Sequence, residues 1–313
     1  MTRQALIGLG AGLASALMFI ALIGGPLLAF PLFILSPLPI AIAGIGWGTL
    51  AGVLAAGAAG GIIAGVITPM AGLMFLVLLG APMAWIAHLV GLSRPGEEGK
   101  VEWFPLSAIF YRAAIAAALA LVATGLLLGY DPDAVSRMMI EAYQAMLTEP
   151  TTSEAPSIEA IRPLVALNVA LLPVTTGTFI LGILVLSAWL AARIVRRSGL
   201  LLRPWIPVST ASLPASAVAI FGVATAASFA GGTIGHAAGA VSGSFGLAFA
   251  LSGYGAMHVA LAGNALRGGL LFLLYALSIF FVLPIIVMAA IGIADSLLNF
   301  KARRFAGLPS NDS

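Results

Sequence analysis

The sequence predicts an all-α fold: a polytopic transmembrane helix bundle of eight or nine spans, formed as one domain by residues 1–313. Three observations predict it. Charged residues make up 8% of the chain and hydrophobic ones 61%, where a soluble domain has about a quarter of its residues charged. Apolar runs near the 20 residues that cross roughly 30 Å of hydrocarbon follow one another along nearly the whole length and leave no run for a soluble domain. The two most highly charged loops carry opposite signs, as the loops of an oriented membrane protein do. Cysteine is absent, which excludes disulfides, thiolate metal sites and cysteine nucleophiles. The net charge of +3 is small and sits in loops, an orientation signal and not a nucleic-acid surface.

The first run, 5–24, follows Arg3. Ala14-Ser15-Ala16 imitates a signal-peptidase site, but one basic residue and an apolar run continuing past Ala16 predict an uncleaved span. Pro26, Pro31, Pro37 and Pro39 predict a broken or half-length helix near 26–44. The third and fourth spans are expected at 47–67 and 70–92, ahead of a hydrated loop at 94–100. The fifth is expected at 105–130. A polar loop, 131–162, then holds six acids against two bases, and the sixth span, 163–192, leads to Arg193, Arg196, Arg197 and Arg203 with no acid between them. Three further runs, 213–230, 237–262 and 268–290, complete the count.

Arginine and lysine in short loops stay on the cytoplasmic side, which predicts a multi-pass protein of the bacterial inner membrane with a cytoplasmic amino terminus and the 131–162 loop outside. Nine full spans would then put Lys301, Arg303 and Arg304 on the wrong side, so one late segment is expected to be re-entrant, with the glycine-rich stretch 231–246 the first choice. Inside the 131–162 loop, Val135, Met138, Met139, Ala142 and Met146 recur at helical spacing after Asp131-Pro132. That pattern predicts an amphipathic helix lying on the membrane surface or covering a cavity.

Small residues form ridges at a spacing of four: Gly8, Gly12 and Ala16 on the first span, and Gly48, Gly52, Ala56 and Gly60 on the third. In lipid, such ridges let backbones approach, so they serve packing within the bundle or docking to a membrane protein partner. Intramembrane charge is scarce. Arg112 and Asp295 stand near span ends, where Arg112 can snorkel and Asp295 can pair with the basic cluster after it. His88, His236 and His258 lack companions at metal-ligand spacing, so no metal or other cofactor is expected. Tyr254, His258 and Asn264, with Asn168, Thr175, Thr176 and Thr178 on the sixth span, are the polar groups expected to line a solute cavity, if they do not simply bond between helices. No nucleotide loop, catalytic triad, paired aspartates or zinc-protease motif is present, so no catalytic residue is assigned and an enzyme is not expected.

Ser36-Pro37-Leu38-Pro39-Ile40, then Ala43-Gly44-Ile45-Gly46-Trp47-Gly48, Pro82 and Trp85, and Glu102-Trp103-Phe104-Pro105 resemble the YybS-like family of bacterial integral membrane proteins. Gly253 to His258, Leu274-Tyr275 and Gly292-Ile293-Ala294-Asp295-Ser296 before Lys301 extend the likeness to the far end. That family has no established function, so the resemblance implies a fold and not a mechanism. At greater distance, the proline-rich second segment before a small-residue helix is similar to the S components of energy-coupling-factor transporters, which implies a solute site and docking through Gly8, Gly12 and Ala16. The chain departs from that pattern in its extra spans and its acidic loop. Two functions follow as expectations: a transport-related membrane component that binds a small-molecule solute, or a non-transporting scaffold with a membrane protein partner in envelope assembly or division. Membrane lipid is a contact partner in both, and nucleic acid in neither.

Overall fold

The computed structural model describes residues 3–97, 100–147 and 157–301. Helix α1 (Arg3–Ile20) is followed by a second span in two pieces, α2 (Pro26–Ile34) and α3 (Leu38–Trp47). The break is the one the prolines demand: Pro37 has no N–H to continue the ladder, and Pro39 restarts it within the first turn of α3. Trp47 thus closes the second span instead of opening the third. Gly48, at φ +97°, makes the reversal into α4 (Thr49–Val66), a conformation that side chains avoid.

The fourth span starts at α5 (Pro69–Phe75), where the Thr68 hydroxyl accepts the Ala71 N–H at 3.1 Å, and runs through a π-helical turn, Leu76–Gly80, into α6 (Ala81–Gly91). A short antiparallel hairpin follows, β1 (Ser93–Pro95) and β2 (Val101–Trp103), with Arg94 paired to Glu102 at 2.6 Å. Beyond it come α7 (Leu106–Leu128), α8 (Pro132–Leu147) and α9 (Ile158–Arg197). Helix α8 is the amphipathic helix expected in the polar loop. Helix α9 has 40 residues, about 60 Å at 1.5 Å per residue, so it extends well past a hydrocarbon core of roughly 30 Å. The last helices are α10 (Ala215–Ala227), α11 (Gly232–Ala260), α12 (Arg267–Phe280) and α13 (Leu283–Leu298). Among the described residues, seven segments are long and apolar enough to cross a membrane, and the α12–α13 pair makes an eighth if it counts as one.

Helices α9 and α11 run parallel: Pro173 meets Gly239, Thr178 meets Gly243, and Gly182 meets Leu247. The shorter α10 therefore brings the chain back between them. Contacts at one end of the bundle fix the rest of the topology. Gln4 donates to the Trp47 carbonyl, Thr49 bonds His88, Arg203 reaches the Val90 and Phe104 carbonyls, and Lys301 reaches that of Ala211. Residues 4 and 301 thus share the end that carries the hairpin, here the hairpin end; the other is the α8 end.

This corrects two expectations. The glycine-rich stretch 231–246 is not re-entrant; it opens the uninterrupted α11. Its glycines reflect close approach, since a Cβ at Gly243 would overlap the Val174 backbone and one at Gly253 the Met288 backbone. Nor is 268–290 a single span. Helices α12 and α13 meet at 118°, with Pro284 in the first turn of α13, and this V returns Lys301 to the hairpin end. Arg303, Arg304, Glu149 and Glu154 lie outside the described residues.

Candidate functional site

At the α8 end, α7, α9 and α11 line a half-open cavity of about 490 Å³, within the usual range of ligand pockets. Its wall is mainly apolar, with Leu121, Pro173 and Ala240 among the lining residues, and no charged side chain contributes to it. The polar groups are Thr124, Thr176 and Thr233, with Tyr130 and His236.

Local structure places the last two. Helix α7 ends on Gly129 in the left-handed conformation (φ +61°), and the Tyr130 N–H returns to the Gly125 carbonyl at 2.8 Å, so the chain turns back and lays the tyrosine over the cavity. His236 sits in the first turns of α11, its Nδ1 bonded to the Gly232 carbonyl. A carbonyl only accepts, so Nδ1 carries a proton, and in the neutral tautomer that this bond selects Nε2 offers a lone pair. That Nε2 and the Tyr130 hydroxyl are both buried and have no hydrogen-bond partner among the described residues. The two rings lie 5.1 Å apart. Burial raises the Tyr130 phenol above its ordinary range and keeps it a neutral O–H. Unsatisfied buried polar atoms cost about 1–3 kcal/mol each, and these two belong to residues that line one cavity.

Of the residues expected to line a solute cavity, Thr176 lines this one and the others lie elsewhere. Asn168 bonds the Leu164 carbonyl and Thr175 those of Leu171 and Leu172, both on the exposed face of α9; Thr176, one residue on, is the side chain that reaches the cavity. Tyr254 donates to Ser278 at 2.5 Å and stacks on Tyr275, while His258 Nε2 bonds the Tyr275 hydroxyl at 2.9 Å, so this cluster ties α11 to α12. Asn264 accepts the Leu266 N–H and shapes the turn before α12. Tyr130 was not singled out in the sequence, and His236 was weighed only as a metal ligand. The available signal was a histidine within a glycine-rich stretch and a tyrosine directly after a helix-ending glycine.

The small-residue ridges are spent inside the bundle. Gly8 lies against Ala51 and Leu54, Gly12 against Ala55 and Ala58, Ala16 and Ala56 are buried, Gly52 faces Gly44, and Gly60 faces the Gly72 carbonyl. Gly46 abuts Val195 and Leu200 of the hairpin end. Asp295 is fully buried in α13, where it pairs with Lys301 Nζ at 3.2 Å and accepts from Ser212 Oγ at 2.7 Å and the Lys301 N–H at 3.0 Å. Lys301 Nζ also reaches the Ala211 carbonyl and Ser252. Burial pulls the Lys301 ammonium below its ordinary range and the Asp295 carboxylate pulls it back. Among the described residues, no three His, Asp or Glu side chains gather as metal ligands.

A family model described as a predicted membrane protein, DUF2232, matches residues 12–296. No curated protein and no solved structure matches the chain.

Proposed function

The chain belongs to the DUF2232 family of predicted membrane proteins, and from that premise we propose that it is a transport-related binding component, holding a small solute in the cavity between α7, α9 and α11. The observation that carries this reading is that Tyr130 and His236, each with a buried polar atom that lacks a partner among the described residues, line one apolar cavity. An uncharged, largely apolar solute suits it, one that gives a hydrogen-bond donor to His236 and an acceptor to Tyr130. The role is binding, not catalysis. The broken second span and the distant likeness to S components are in keeping with it. The acid-free arginine loop supports an inner-membrane protein with the hairpin end in the cytoplasm and the solute site facing outward.

The test is thermal unfolding of the purified chain in detergent against a panel of small uncharged heteroaromatic and hydroxylated solutes. A ligand near 100 times its dissociation constant stabilises by about 2.7 kcal/mol, so a genuine solute raises the wild-type melting temperature. The same solute is expected to do little for His236→Ala. A panel without effect, or one acting equally on both proteins, removes the reading.

One observation favours the second reading, a membrane protein partner. Gly57, Gly61 and Gly65 form a bare ridge on the exposed face of α4, with no atom near the place of a Cβ. Cysteine crosslinking from position 61 in native membranes that captures no second polypeptide counts against it.

A further inference from the structure

The hairpin end carries a second concavity, on the outside of the bundle and separate from the Tyr130–His236 cavity. It is a groove of about 100 Å³ whose walls come from α6, α7 and α9, with Val90, Phe110 and Leu184 among them, and whose rim holds Trp189, Trp205 and Arg203. Ile206, at the same rim, is 43% exposed. On a membrane protein, such an apolar surface meets lipid.

The charges around the groove are all positive. Arg203 is only 8% exposed, and donates to the Val90 carbonyl at 3.4 Å and the Phe104 carbonyl at 3.3 Å. Among the described residues it has no carboxylate partner. Two long bonds to carbonyls leave most of the cost of a buried cation standing, and an anion is the group that offsets it. Each rim tryptophan carries a further guanidinium: Arg193 lies 4.8 Å over Trp189 and Arg196 lies 4.8 Å over Trp205. Neither is ion-paired among the described residues, and no acid occurs anywhere in 193–214.

We propose that this groove is a binding site for an anionic phospholipid. The acyl chain lies along the apolar wall, the phosphate faces Arg203, and Arg193 and Arg196, held flat on their tryptophans, complete the headgroup contact. Guanidinium forks match phosphate oxygens in pairs, tryptophan belongs at the level of lipid headgroups, and basic pockets between helix ends select acidic lipids. A free anion would use the arginines and ignore the wall; phosphatidylcholine would bring the same phosphate to Arg203 but with a cationic headgroup that Arg193 and Arg196 repel.

Native mass spectrometry and thermal unfolding of the full chain in a neutral detergent test this, with phosphatidylglycerol, phosphatidylcholine of the same acyl chains, and inorganic phosphate as probes. Phosphatidylglycerol is expected to bind at least roughly tenfold more tightly than phosphatidylcholine, since each surface arginine contributes on the order of 1 kcal/mol toward an acidic lipid. The Arg193→Gln/Arg196→Gln double variant, which changes only exposed side chains and so keeps its fold, is expected to lose about thirtyfold in phosphatidylglycerol binding. Arg203→Gln is expected to lose more. Equal binding of the two lipids overturns the proposal, as does a double variant that binds like wild type. Inorganic phosphate that stabilises as well as phosphatidylglycerol also overturns it, because the apolar wall then has no part.

Discussion

Two buried polar clusters sit at opposite ends of this bundle and are built in opposite ways. At the hairpin end, Asp295, Lys301, Ser212 and Ser252 close on one another: each carboxylate oxygen accepts, and the ammonium has a carboxylate, a hydroxyl and carbonyls to donate to. At the α8 end, Tyr130 and His236 face an apolar cavity with one atom each left open. A closed network gains nothing from a visitor and loses a great deal if one member goes, whereas open valences lose little when removed and gain when filled. The first cluster therefore holds the V of α12 and α13 against the segment after α9. The second is the proposed solute site.

The largest expected effect breaks the closed cluster. Asp295→Asn leaves the Lys301 ammonium buried without its counter-charge, and removal of one partner of a buried pair costs about 3–5 kcal/mol. The variant is expected to unfold at markedly lower temperature in detergent, and its C-terminal segment to become sensitive to protease. Replacing both members, Asp295→Leu with Lys301→Met, is expected to recover much of the loss, because two apolar side chains leave no stranded charge. A double variant as unstable as the single one would show that geometry, and not charge, is what the cluster supplies.

The sequence reading of the two ends differed in the same way. Proline and glycine act through the backbone, so Pro37 and Pro39 placed the break in the second span, and the Asp131-Pro132 start placed α8. Asp295 was expected to pair with the basic residues after it, since a buried carboxylate needs a nearby cation, and it pairs with Lys301. The V at 281–282 was missed because 268–290 is uniformly apolar, and α11 was misjudged because its glycines serve contact with α9, α13 and the Ser209 segment, a property of the partners and not of the stretch itself. Cavity lining was the least legible of all. Thr175 and Thr176 are neighbours of one residue type, and only the rotation of α9 against α7 and α11 decides which of them faces inward.

The open cluster yields a smaller effect of opposite sign. Tyr130→Phe removes a buried hydroxyl that has no partner and leaves the ring where it is, so the unliganded protein is expected to gain on the order of 1 kcal/mol and to melt later. In the presence of a solute that stabilises the wild type, the order reverses and the variant melts first. Loss of stability without solute would mean that Tyr130 already has a partner, and the contrast between the two ends would fail.

The smallest effects are expected on the outer face of α9. Thr175→Val and Asn168→Ala give up hydrogen bonds to carbonyls that are already in the helix ladder, so stability is expected to hold within about 0.5 kcal/mol and solute response to be unchanged. Thr176→Val, one residue along, removes a hydroxyl from the cavity wall and is expected to weaken solute binding without lowering the melting temperature of the empty protein. Parallel melting curves for the two threonine variants, with and without solute, read out that rotation directly. Equal responses would place the solute away from the wall that α9 shares with Tyr130 and His236.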